Sequence, residues 1–331
     1  MVVVHGLDAG VDFLPRSESL KISTITFICD MQIERFGDTF VSLTDAFYKH
    51  VGDACKKHPH RVFSSVSQYK QHFCKGTTPK DRKRKEAKKS SRHGVMMTDN
   101  IFVCKDRARG ALKNSVCLMY CDRDSAGATF CACIKLFSSC LHICGCKTSE
   151  QAFKSMSALQ VVEDLCDVYI TINPVERLDV SLVNLSFDIL QISGMNEDVN
   201  INIERLNECL NTSNSMFASV LNRRNYAGLN VKFKIRHMYP DRSSMLSNKL
   251  RNAPGDKAAA CLDELLSVLL FSSGKCTMCC PYEKIRKVHM FLGLDTSTIF
   301  QRLYQALNQL LTIMCQSSSL QTVSILKIKE H

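Results

Sequence analysis

The chain has 331 residues, 45% of them hydrophobic, and a formal net charge of +11, enough to bury a sizeable core in one large domain or two ordinary ones. No stretch approaches the ~18 unbroken apolar residues of a membrane helix, and the opening MVVVHGLDAGVDFLPRSE lacks the basic region and cleavage site of a secretory signal, which excludes membrane-spanning and exported classes and predicts a soluble, intracellular protein. The 18 cysteines are therefore read as reduced thiols, most of them small hydrophobes filling a core.

Residues 1–19 form an N-terminal extension. Lys21 to Ile33 alternates as a strand does, and Thr39 to Val51 has the spacing of an amphipathic helix. A basic insert follows, about 56–95. Between Lys75 and Arg92 it sets nine Lys and Arg against Asp81 and Glu86. That run reads as a solvated, disordered loop, as a non-specific phosphate binder through Lys83, Arg84 and Lys85, or as a nuclear address. Cys55-x-x-His58 and His72-x-Cys74 are zinc-ligand residue types at a non-standard spacing, and Cys276-x-x-Cys279 has no second pair. No metal and no cofactor is expected.

Ser115 to Cys121 is a further strand. Ile134 to Phe137, a Ser-Ser turn and the run to Cys144 make a hairpin, followed by a helix with Thr148 or Ser149 as cap and Glu150 in its first turn. The second half repeats this order. Leu178 to Ile192 is a long strand, Ile201 to Leu210 a helix and Asn230 to Arg236 a strand; Ser, Asn and Pro-Gly mark a loop insert at about 241–257. Then Val268-Leu269-Leu270-Phe271-Ser272-Ser273-Gly274 turns into Lys275 to Cys279, with a helix from Tyr282 to Val288. Thr296 to Cys315 is an amphipathic helix outside both copies.

The reading is thus an α+β chain with a first repeat at 20–170, a second at 171–293 and a C-terminal helical extension at 294–331. Two copies with helices on one side can share an antiparallel sheet whose other face is open, and an open sheet face is a binding surface. The chain lacks a phosphate-binding loop of standard spacing, Gly-x-Ser-x-Gly and His-Glu-x-x-His, and no carboxylate pair stands out. An enzyme is not expected.

The strings IKLFSSCLHICGCKTSEQA and LLFSSGKCTMCC resemble the hairpin-plus-helix signature of TATA-box-binding proteins. In that signature a Phe ends one strand, a small-residue turn follows, and Gly-x-Lys opens the helix; Gly145-Cys146-Lys147 fits, Cys280-Pro281-Tyr282 does not. Tyr226-Ala227-Gly228-Leu229-Asn230-Val231-Lys232-Phe233 is similar to the family strand that begins Phe-Pro-Gly. The resemblance covers about residues 20–293, with a divergence like that of the versions in large DNA viruses. It implies a two-repeat saddle, a curved antiparallel sheet with helices on the convex face.

The resemblance also implies a function: apolar wedges unstack base steps and bend double-stranded promoter DNA while the sheet covers the widened minor groove. The implied partners are general transcription factors or an RNA polymerase machinery, in a nucleus or viral replication site. Carried over residue by residue, Phe137 and Phe271 are wedges, Tyr226 is the second wedge of the second repeat and Leu112 that of the first. Ile143, Thr277 and Ser181 fall on the groove face, and Lys147, Lys232 and Lys275 on phosphates. The sequence departs from the family where Leu20 or Lys21, and Ser181, replace a groove-reading Asn, where Cys144 and Cys279 replace Thr, and where Cys140 replaces the turn Gly. The second repeat is therefore expected to insert more strongly than the first. From the residues alone, Phe137 and Phe271 also read as core residues closing a strand. The runner-up function is an interaction scaffold that keeps the saddle without DNA insertion and holds partners with its helices. Oligomeric state stays open.

Overall fold

The computed structural model describes residues 21–34, 39–75, 94–104, 115–173, 178–189, 199–212, 216–222, 228–242, 257–316 and 320–322. The chain divides into two compact units, Thr24–Asp179 and Val180–His331, each mixing helices with antiparallel strands.

In the first unit, β1 (Lys21–Glu34) alternates so that Ile25, Phe27, Cys29 and Met31 point inward, as the two-residue period of a strand requires. Helix α1 (Phe40–Lys57) starts where Thr39 accepts a side-chain hydrogen bond from the Ser42 N–H. It buries Leu43, Phe47, Tyr48 and Val51 at three- and four-residue spacing, one face of a helix. There follow β2 (Val62–Phe63), α2 (Val66–Lys75), β3 (Gly94–Thr98), β4 (Ile101–Cys104), β5 (Val116–Arg123), β6 (Thr129–Leu136), β7 (Cys140–Cys146), α3 (Ser149–Ser155), α4 (Gln160–Cys166) and β8 (Tyr169–Asn173). The strands run β1-β7-β6-β5-β4-β3-β2, all neighbours antiparallel, with β8 on the far part of β1. One face carries Leu118, Ile134, Ile143 and Phe27 in register, all buried. The Tyr48 hydroxyl accepts from the Cys117 N–H at 3.2 Å and fixes α1 to β5.

The second unit runs β9 (Asp179–Asp188), β10 (Val199–Ile201), α5 (Ile203–Thr212), β11 (Phe217–Asn222), β12 (Gly228–Lys234), α6 (Lys257–Cys261), β13 (Leu265–Phe271), β14 (Lys275–Cys280), α7 (Tyr282–Leu292), α8 (Ile299–Gln316) and β15 (Leu320–Thr322). Its strand order is β9-β14-β13-β12-β11, antiparallel, with β10 and β15 as a separate ribbon. Beside β11, the Asn211 side chain accepts from the Ser219 N–H at 3.2 Å and donates to its carbonyl at 3.1 Å. That amide bonds the strand as a neighbouring strand would and blunts its edge. Helix α8 buries Leu303, Ala306, Leu307 and Leu310.

Both units follow one plan: a long strand, a helix, a meander of four strands whose last member returns beside the first, and a helix. In the first unit these are β1, α1, β4 to β7 and α3; in the second β9, α5, β11 to β14 and α7.

Four sequence expectations need correction. The insert at 56–95 is folded at its start: Lys56 and Lys57 close α1, β2 pairs with β3 and α2 packs on the sheet, while 76–93 lie outside the described residues. The strand expected to Ile192 ends at Asp188. The thiols are not all free, because Cys121 and Cys131, opposite one another on β5 and β6, form a disulfide. Finally, the second face of the first unit's sheet is not open throughout. Phe63, Tyr69, Phe102 and Cys121 form a core cluster with Val66, Phe73, Met96, Met119 and Cys131 around it. Phe102 and Met119 are in register and stand on the face opposite to Leu118, so α2 covers that face at β3 to β6. Among the described residues no helix is long and apolar enough to cross a membrane.

Candidate nucleic-acid interface

In the second unit, alternation separates a buried face from an uncovered one. Along β14, Cys276, Met278 and Cys280 are buried while Lys275, Thr277 and Cys279 are exposed. The register extends the uncovered face across the unit as two rows. One holds Val220, Asn230, Leu269, Thr277 and Ser186; the other holds Ala218, Lys232, Ser267, Cys279 and Asn184. Val220 is 59% exposed, and the Asn230 amide oxygen is buried with no hydrogen-bond partner. The first row therefore mixes apolar Val220 and Leu269 with polar Asn230, Thr277 and Ser186, and the second is mostly small or polar with one cation, Lys232.

Phe271 ends β13 on this face, half-buried and opposite Gly228, which offers no side chain beside the ring. The turn is closed by the Gly274 N–H donating to the Phe271 carbonyl at 3.0 Å. Gly274 has φ +81°, a conformation that costs an L residue with a side chain roughly 1–2 kcal/mol. Lys275 follows, exposed and in register with Asp188.

In the first unit, Phe137 follows β6 in the same position and is half-buried. Its N–H donates to the Cys140 carbonyl at 2.9 Å. The Phe137 and His142 rings lie 4.9 Å apart, tilted by 58°, and His142 is in register with Lys135. Burial, then the Lys135 ammonium, lowers the pKa of His142 below the ordinary imidazole value, so the ring is neutral at pH 7. At the end of β7, Gly145 takes φ +96° in a bulge opposite Ile25 and Thr26. A side chain there would meet the Cys131 carbonyl at 2.9 Å.

No protein-family model and no characterised protein matches the chain.

Of the residues picked from the sequence, Thr277 and Lys275 are exposed, and Ser181 and Lys232 are half-buried. Lys147 is exposed in front of α3, where its N–H donates to Gln151 Oε1 at 2.8 Å. Ile143 is a correction: it is fully buried in register with Phe27 and Ile134, so it belongs to the core. Cys140, His142 and Cys144 are the residues of β7 that reach the other face. Tyr226, Leu112, Lys83, Arg84 and Lys85 lie outside the described residues. The sequence reading also missed His142, Lys135, Val220 and Leu269, although the two-residue period in CIKL, LHIC, FASVL and LLSVLLF separates them from the core positions.

The zinc-type residues Cys55, His58, His72 and Cys74 do not gather. Among the described residues no three His, Cys, Asp or Glu side chains stand together as a metal site would need.

Proposed function

We propose that the chain is a DNA-binding protein of the TATA-box-binding kind, which lays its uncovered sheet face in a minor groove and bends the duplex, as a factor in transcription initiation. The observation that carries the reading is the repeated position of one aromatic residue. Phe137 and Phe271 each stand half-buried at the end of the third strand of a four-strand meander, before a turn closed by a backbone hydrogen bond, in two units built to one plan. A half-buried ring at a hairpin tip can enter a base step, and Leu269 and Val220 in the row next to Phe271 suit the sugar edges of a widened minor groove. Lys232 and Lys275 are positioned to neutralise phosphates.

The resemblance quoted from the hairpin sequences supports the same reading. One observation favours a second reading for the first unit alone: α2 covers part of its face, as in a scaffold that does not insert. The test is electrophoretic mobility of complexes with duplexes carrying the bound site at different positions. Mobility that varies with position supports bending; uniform mobility contradicts it.

A further inference from the structure

The second face of the first unit's sheet has an occupant, and that occupant belongs to the chain itself. Helix α2 lays Val66, Tyr69 and Phe73 toward the sheet, and the Tyr69 ring stacks on Phe102 at 4.9 Å and 15°. Phe63 meets both rings edge-on. This cluster sits over Phe102 of β4, Met119 of β5 and Cys131 of β6. Met119 is two residues along β5 from Cys117, and Cys131 is four residues along β6 from Lys135; Cys117 and Lys135 share a register pair on the same face. Two to four residues of strand are ~7–14 Å, comparable with the ~10–12 Å breadth of a helix with its side chains. A duplex lying on Lys135 and His142 would therefore run into α2.

The docking of α2 is slender. Tyr69 is the one fully buried side chain among its described residues, and its hydroxyl reaches the Asp99 carbonyl at a long 3.4 Å. The hydrogen bonds at the start of α2, from the Ser64 N–H to Gln68 and from the Gln68 N–H to Ser65, stay within the segment, so they persist when it moves. The His72 Nδ1 is buried without a hydrogen-bond partner, a penalty removed when the helix leaves. Among the described residues of the second unit, no helix lies on the corresponding face, where Val220, Thr277 and Cys279 are exposed.

We infer that the segment Ser64–Lys75, hinged on β2, which stays paired with β3, is a self-docked competitor for nucleic acid on the first unit. It must lift from β3 to β6 before DNA can occupy that face, so the docked helix lowers the affinity of the free protein. This rests on the DNA-binding reading and adds a control to it. A binding-competent state that is only fractionally populated weakens apparent affinity by that fraction.

The test uses the full chain, a labelled A/T-rich duplex, and Tyr69→Ala, which removes the anchor without touching the sheet. The variant is expected to bind roughly tenfold tighter and to protect a longer stretch of duplex from nuclease. Unchanged affinity and footprint, in a variant whose 64–74 amides exchange faster than in the wild type, overturn the inference. Hydrogen exchange of the wild-type protein makes the test independent of the variant's folding. Faster exchange at 64–74 in saturating duplex supports displacement, and unchanged or slower exchange overturns it. If neither protein binds duplex at all, the DNA-binding reading itself fails and the inference falls with it; binding by the variant alone supports both.

Discussion

At the scale of single residues, position on a strand decides role more than chemical type does. Phe271 and Ile143 are both apolar residues of the repeated hairpins, yet Phe271 is half-buried at a turn and Ile143 is sealed in the core. Phe271→Ala is expected to weaken duplex binding by about 1–3 kcal/mol, the worth of one aromatic ring stacked on a base, with the fold unchanged. Ile143→Ala is expected to cost about 2–5 kcal/mol of stability in a denaturant titration, while its folded fraction binds as the wild type does. The reverse pattern would show that the two faces have been exchanged. Lys275→Ala should lower the slope of log affinity against log salt by about 0.9, one lost phosphate contact; an unchanged slope would remove Lys275 from the interface.

At the scale of elements, the hairpins and their flanking helices were legible because several local signals agree. Thr39 and Thr148 cap the helices they precede, Gly274 supplies the positive φ of its turn, and alternation marks β1, β5, β6, β13 and β14. Helix α2 was not legible. Its Val66, Tyr69 and Phe73 stripe is embedded in polar and basic sequence and runs straight into the basic residues 75–92, which mask its period. The groove-face choice of Ile143 failed for a different reason, because Leu141 and Ile143 alternate with His142 and Cys144 and both apolar members turn inward.

The packing of α7 against α8 adds an element-level expectation. His289 on α7 is fully buried, with neither ring nitrogen hydrogen-bonded. Its ring meets Tyr239 edge-on at 5.3 Å, and Arg302 of α8 stands over the same Tyr239. Burial, with the Arg302 charge adding to it, pulls the imidazole down to about 4. A pKa depressed in the folded state means that the unfolded chain binds the proton first. The neutral ring's contribution is therefore complete above the ordinary value of about 6.5 and is lost as pH falls from there through 4. Thermal unfolding should show stability falling over that window, and His289→Leu should flatten the fall. A variant with the wild-type pH profile would show that other groups set it.

At the scale of the whole molecule, two units of one plan carry unequal faces. The second presents Phe271 with two uncovered rows of side chains. The first presents Phe137 with His142 and Lys135, beside a helix of its own chain. The inequality expected from the sequence rested on Leu112, Tyr226 and the turn residues; the first two lie outside the described residues, and the covered face gives a separate physical ground for it. The central claim is that these faces, through Phe137 and Phe271, bind duplex DNA. Fluorescence anisotropy of a labelled A/T-rich duplex titrated with the wild type and with Phe137→Ala/Phe271→Ala tests it most directly. The account expects saturable wild-type binding and a loss of tenfold or more (about 1.4 kcal/mol or more) in the folded double variant, whereas equal affinities, or no saturable binding by the folded wild type, would contradict it.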